Sequence, residues 1–350
     1  MAPLNIAAGA SFLQLDAALP IIVSRCEDSR SGEKSRMLKR KEKEAMHESD
    51  CANLLSVVIL WRGQCGLCSV VSRYMMAMAL GDLMVLLFNV IIHCIFKYHF
   101  QTSFLNLTHT CRVIAYMYYV SFRLSGWFTV SFTFDRFVAI CCQKLKVKYC
   151  TERTATMVIT VVSVLGFLKC IPVYFEYEPY YMVDNVGWGC RTVSGFAWLP
   201  GWRVFQWILT LSSSVVSLPL ILLFNCLTVR HIMVASRARR ALKGHSRGQS
   251  NCDPELENRR NSIILLFAIS GSYIVLTVPM TIINICVRVT ELDVFKNQPS
   301  LYFAIIVTTL FQNLSFCINT YLYVLTQRRF RAQMKNIMRY PFTAVIKLFE

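Results

Sequence analysis

Acidic residues are scarce in this chain: 20 Asp and Glu stand against 37 Lys and Arg, and charged residues of both signs fill only 16% of its 350 positions. With 55% hydrophobic residues and a mean hydropathy of +0.45, the apolar surface exceeds what one soluble core could hide, whereas a bilayer would accept it. Catalytic signatures are also missing. No His-Glu-x-x-His and no serine nucleophile elbow occurs, so an enzyme is not expected. No internal repeat or row of acidic residues marks a transport pathway, which disfavours a transporter or channel. Residues 1–23 contain no basic residue ahead of their apolar part, and a secretory signal normally carries one. The fifteen cysteines are scattered, many in apolar runs, so most read as small membrane-compatible hydrophobes rather than a disulfide framework.

What the chain does hold is long apolar runs. They cover Tyr74 to Phe96, Cys111 to Cys141, Thr154 to Phe175, Trp202 to Met233, Ser262 to Val287 and Leu301 to Leu325. Their uninterrupted apolarity suits transmembrane helices rather than alternating strands. A shorter run, Cys51 to Trp61, is about half the ~20 residues a spanning helix needs. Residues 1–50 end in a segment dense in both signs of charge, read as a solvated, disordered stretch that cannot enter hydrocarbon. The expected fold is an all-α membrane protein, a seven-helix bundle over 51–326 with an incomplete first helix, followed by a surface helix and short tail over 327–350.

Loop charge sets the orientation. Arg62, Arg73, Arg136, Lys144, Lys146, Lys148, Arg153, the cluster from Arg230 to Arg260, and Arg328 to Lys335 fall on one side; the other side holds Glu176, Glu178, Asp184, Glu291 and Asp293. By the positive-inside rule the basic side is cytoplasmic. A nucleic-acid partner is therefore not needed to explain the basic excess, and lipid headgroups are. From Cys111 to Arg136 a helix rises ~37 Å, which puts Asp135-Arg136-Phe137 at the inner interface. The sequon Asn106-Leu-Thr108 lies outside, where a glycan belongs. After the last span, Phe330, Met334, Ile337 and Met338 share a helical face among basic residues, the pattern of a helix lying on the inner membrane surface.

These residues together resemble the rhodopsin-like, or class A, G-protein-coupled receptors, over roughly Ala52 to Lys335. Asn53 and Asp82 resemble the asparagine and aspartate of the first two spans, and Cys111 and Cys190 the cysteines tying the third span to the second outer loop. Asp135-Arg136-Phe137 resembles the Asp/Glu-Arg-Tyr triplet. Pro219 and Pro279 match the prolines of spans five and six, and Asn319-Thr-Tyr-Leu-Tyr323 the Asn-Pro-x-x-Tyr segment. More narrowly, the loops LKVKYCTERTA and VVILWRGQCGLC resemble the orphan group called probable receptor 139-like. The resemblance implies a multi-pass plasma-membrane receptor that binds an extracellular ligand and activates a heterotrimeric G protein through Asp135, Arg136, Phe137 and Tyr323. It also implies a disulfide between Cys111 and Cys190, hinges at Pro219 and Pro279, and a polar network of Asn53, Asp82, Ser125, Ser315 and Asn319 in which Asp82 holds either a sodium ion or a proton. No other cofactor is expected.

The chain departs from that pattern in several places. Phe137 replaces a tyrosine, Thr277 the sixth-span tryptophan, and Thr320 the seventh-span proline; Leu227 stands where a tyrosine is usual, and span four has no tryptophan. Arg259 and Arg260 occupy the inner end of span six where an acid often pairs with Arg136, so no latch between spans three and six is expected and high basal activity follows. Tyr118 stands where amine receptors carry an aspartate, which disfavours a biogenic amine. The last span has no lysine between Leu301 and Leu325, which excludes retinal. Arg123 lies well inside span three, where it either meets an acidic ligand group or is satisfied by neighbouring carbonyls and hydroxyls. With His93, Tyr118, Tyr119, Gln206, Asn284 and Gln312 it is expected to line an outer cavity. The short first run leaves two readings open: a six-span variant that does not signal, or a junction error upstream of Ala52 in the gene model, which the intact motifs after Asn53 favour.

Overall fold

The computed structural model describes residues 53–61, 68–88, 103–193, 199–243, 254–290 and 299–336. The charged N-terminal segment, His93, Ile337 and Met338 lie outside the described residues. Helices follow the expected spans and several extend past the apolar runs, but the α-helix of span four stops at Cys170, and residues 89–96 of the second run lie outside the described residues. A first helix covers 53–61. The second span is Ser69–Val85, the third Thr108–Cys141 and the fourth Glu152–Cys170. The fifth is built from Pro200–Thr210, a π turn at Leu211–Val215 and Ser217–Lys243. The sixth is Pro254–Thr290 and the seventh Pro299–Thr326. A short helix, Gln143–Tyr149, with Lys146 and Lys148 in its last turn, joins spans three and four, and a last helix covers 328–336.

Five stretches among the described residues are long and apolar enough to cross a membrane: Ser69–Phe88, Glu152–Glu176, Pro200–Ala238, Arg260–Val287 and Phe303–Thr326. The third span is not among them, and its place explains why. More than half of its residues are buried, including Ser121, Arg123, Ser125, Thr129, Thr133, Asp135 and Arg136, so its polar side chains meet other helices and not lipid. Span four is the converse. Its apolar window has a mean hydropathy of 2.1 with 11% of the residues buried, and Met157, Val161, Leu165 and Leu168 point outward. Such a surface is stable only in hydrocarbon.

Spans three and six approach closely at Gly126, where an added Cβ would stand 2.7 Å from the Tyr273 hydroxyl. Span five is irregular where its proline interrupts the ladder. Pro219 has no N–H for the Val215 carbonyl, the chain bulges over Leu211–Val215, and serine hydroxyls take up carbonyls there, Ser217 donating to Ser213 at 2.6 Å and Ser213 to Leu209 at 2.9 Å. In the outer loop, β1 (Tyr177–Glu178) pairs with β4 (Arg191–Thr192), and β2 (Tyr181–Val183) with β3 (Val186–Trp188). The tight turn of the second hairpin is Asp184-Asn185, both at positive φ, which matches the twist of the strands it joins.

The first helix is bonded into the bundle although its apolar run is short. Asn53 donates to the Phe316 carbonyl at 3.0 Å, Thr320 donates to Asn53 Oδ1 at 2.8 Å, and Ser56 donates to Thr320 Oγ1 at 2.9 Å. Thr320, standing where the resemblance expects proline, is thus the bridge between helices one and seven. At the other end of span seven, Phe330 of the last helix is buried with its ring 5.8 Å from that of Tyr323, and Arg331 Nη1 donates to the Val324 carbonyl at 3.0 Å. These contacts fix the surface helix to the bundle. Replacing Thr320→Val keeps the shape and removes both bonds, leaving buried partners unmatched. It is expected to cost about 1–3 kcal/mol and to lower the unfolding temperature of the purified protein, while Thr320→Ser stays near the parent; an unchanged Thr320→Val would remove the bridge.

Candidate functional site

At the outer end, the disulfide Cys111–Cys190 ties the first turn of span three to the residue before β4. The loop is fastened further by Thr108 donating to the Gly189 carbonyl at 2.8 Å, Gly189 N to the Asn106 carbonyl at 2.6 Å and Arg112 to the Tyr177 carbonyl at 2.8 Å. Gly189 adopts φ +65, a conformation glycine takes without strain. Asn106 is only 7% exposed beneath this loop, so a glycan on it requires the junction to open.

Below the loop, the expected cavity residues fall into separate groups. Tyr118, Tyr119 and Arg123 are contiguous: the two tyrosine rings stand 5.7 Å apart, edge to face, and the Arg123 guanidinium lies 5.0 Å from the Tyr119 ring centre. Tyr118 continues through Phe122 to Phe316 of span seven. Gln206 donates from Nε2 toward both carboxylate oxygens of the buried Glu176 at 3.4 Å. Asn284 and Gln312 sit on spans six and seven. Glu176 was read from sequence as an outer-loop acid; the 3-10 turn Ile171–Glu176 folds it inward instead. Lys169 was also passed over. It is a lone lysine in the apolar run of span four, so the rule that flags Arg123 flags it equally.

In the middle of the bundle Asp82 is fully buried. Its Oδ1 accepts from Ser125 at 2.5 Å and its Oδ2 from Asn319 at 2.7 Å. Ser315 was expected in this set but donates its hydroxyl to the Gln312 carbonyl of its own helix, at 2.7 Å. Both described partners of Asp82 are neutral. A buried carboxylate held only by neutral donors leaves one negative charge uncompensated, and a monovalent cation or a proton fits that need, with the Ser125 hydroxyl as a further oxygen. Above this network, Thr277 donates to the Tyr273 carbonyl at 2.7 Å, and the Tyr273 hydroxyl occupies the notch at Gly126.

At the inner end, Arg136 pairs with Asp135 of its own helix through Nε at 3.0 Å and again through Nη2, both side chains being buried. Arg260 of span six is exposed, and the side chain of Arg259 lies outside the described residues. Phe137 stacks on Phe224 of span five, ring centres 5.6 Å apart, within an aromatic group that includes Phe134 and Tyr149. The ring in the tyrosine's place therefore packs against span five. Tyr323 was expected at the coupling face; it is fully buried beneath Phe330, with its hydroxyl unpartnered among the described residues. Next to the ion pair, burial first and the Asp135 carboxylate second push the Cys150 thiol up to about 11, so it stays protonated and lies 3.8 Å from the Asp135 carbonyl as a donor.

The geometry is that of an outer loop fastened to the third span, a polar midplane and a buried charge pair at the opposite end of the same central helix. The family model described as 7 transmembrane receptor (rhodopsin family) matches residues 52–323, more than half of the chain. The match is to the family as a whole, and the likeness to the narrower orphan group rests on the two loop sequences alone.

Proposed function

Because the chain belongs to the rhodopsin family of seven-transmembrane receptors, we propose that it is a plasma-membrane receptor that binds an extracellular ligand and catalyses nucleotide exchange on a heterotrimeric G protein. The observation that carries this reading is the Asp135–Arg136 pair, buried at the inner end of the central helix and satisfied within that helix. A charge pair of this kind holds the guanidinium in place at rest and frees it when neighbouring helices part. Arg260 on the facing span is basic and exposed, so it supplies no acid to lock spans three and six together, and the receptor is expected to have basal activity.

An agonist acts by binding one helix arrangement better than the other. Moving such an equilibrium from 1:99 to 99:1 takes ~5.5 kcal/mol of differential affinity. Span six contains Pro279, which removes one helix hydrogen bond and gives a place for its inner end to swing. The π turn before Pro219 is a second weak point. Tyr118 in place of an aspartate supports a ligand other than a biogenic amine. The bonds of Asn53 and Ser56 to span seven support counting the first helix as a member of the bundle and speak against a six-span reading.

The test is fluorescent nucleotide exchange on each G-protein class by the purified chain in lipid nanodiscs. Exchange without ligand above empty discs is expected with at least one class, and Arg136→Gln is expected to return it to the empty-disc rate. Silence with every class contradicts the reading of a basally active receptor. When bound, sodium would supply the counter-charge at Asp82, held by its carboxylate and the Ser125 hydroxyl. Exchanging N-methylglucamine for sodium is then expected to raise the unfolding temperature of the parent chain and leave Asp82→Asn unmoved. An equal response in both would assign the neutralising role to a proton.

A further inference from the structure

The outer halves of spans three, four and five bring two cations together inside the bundle. Arg123 is 6% exposed; one Nη donates to the Tyr119 carbonyl at 3.2 Å, its plane lies over the Tyr119 ring, and its Nε–H is buried with no partner. Lys169, half-buried in the last turn of span four, donates to Ser212 in the π turn of span five. The three spans pack together at this depth: a Cβ on Gly166 of span four would stand 2.6 Å from Leu124 of span three, and one on Gly126 of span three 3.9 Å from the Ser213 carbonyl of span five. Tyr119 beside Arg123, Cys170 next to Lys169 in the chain, and Leu209, whose carbonyl receives Ser212, are all buried. Among the described residues the buried acids are Asp82, Asp135 and Glu176, and of these only Glu176 lies at the outer end, where it receives Gln206. Even if it balances one positive charge in full, two cations and one carboxylate leave a net charge of one.

Like charges repel strongly where water is excluded, and an unmatched buried cation is costly unless a counter-ion is present. Nothing in apolar packing requires a lysine to reach from span four to a serine of span five at this depth. We propose that Arg123, Lys169 and Ser212 form a binding site for a small monoanion. The free Nε–H of Arg123 and the Lys169 ammonium supply donors from two helices; the Ser212 hydroxyl, which accepts from Lys169 and donates to the Leu209 carbonyl at 3.1 Å, anchors the lysine to a third, and the Tyr119 ring lies beside the guanidinium. The anion is either the carboxylate of an extracellular ligand, a source that rests on the receptor reading above, or a free inorganic anion such as chloride, which does not. In both cases the anion ties span five to spans three and four just outward of the π turn.

The probes are chloride and acetate, each titrated against methanesulfonate at constant sodium concentration, with thermal unfolding of the full chain in nanodiscs as the readout. A saturable rise in unfolding temperature is expected for the parent. Lys169→Gln, at a half-buried position that tolerates exchange, is expected to weaken the apparent affinity about tenfold or more, and Lys169→Arg to retain it. A response to acetate and not to chloride identifies the carboxylate source; a response to chloride identifies the inorganic one. No saturable response to either anion, or an identical response in Lys169→Gln, overturns the site. Nucleotide exchange by the same preparations is read separately, so a chain that still drives exchange without an anion effect loses this site and keeps its receptor function.

Discussion

Hydrocarbon offers no hydrogen-bond partner, so every polar group carried into the bilayer must be satisfied by another part of the chain. The third span bears most of that burden here. It carries hydroxyls, a guanidinium and an ion pair through the centre of the bundle, and most of these groups are met locally or by a neighbouring helix, the Arg123 Nε–H being the exception. Ser121, Thr129 and Thr133 turn their hydroxyls to carbonyls one turn back, Ser125 meets Asp82 and Arg136 meets Asp135. The other spans arrange their lipid-facing surfaces around this helix, span four most plainly.

The places where the chain departs from its family's pattern are filled by contacts of comparable kind. Thr320 exchanges a helix-breaking ring for a hydroxyl that receives Ser56 and donates to Asn53, so span seven gains a regular backbone and keeps a tie to the first helix. Phe137 gives up a phenol and joins an aromatic group with Phe134 and Phe224. With a small threonine at 277, space and polarity are supplied one turn away by Tyr273, whose hydroxyl fits only because position 126 is glycine. Polar contacts where spans three, five and six meet involve Tyr273 at Gly126 and the serine-rich turn of span five.

Much of this was legible in the sequence. Apolar length marked the spans because lipid tolerates little else. Motif order marked Cys111, Cys190, Asp82, Arg136 and Asn319 because each sits at a fixed depth on its helix. What sequence could not supply was the direction in which long or mobile side chains turn. Ser315 looked like a partner of Asp82 and bonds its own helix; Tyr323 looked available at the inner face and is covered by Phe330; Glu176 looked like a loop acid and is folded under the loop. Gln206, Asn284 and Gln312 were grouped by depth alone, and depth does not say which helix faces which. Lys169 was visible to the same rule that singled out Arg123, and only the fold pairs it with span five.

The whole account depends on the third span crossing the bilayer with Asp135 and Arg136 at its cytoplasmic end. Val147, 83% exposed on the short helix that follows, gives the most direct test. With Val147→Cys, a membrane-impermeant maleimide is expected to label the chain above the level of the parent only after the plasma membrane is permeabilised. Labelling of intact cells to the same extent would put that end of the helix outside and contradict the account.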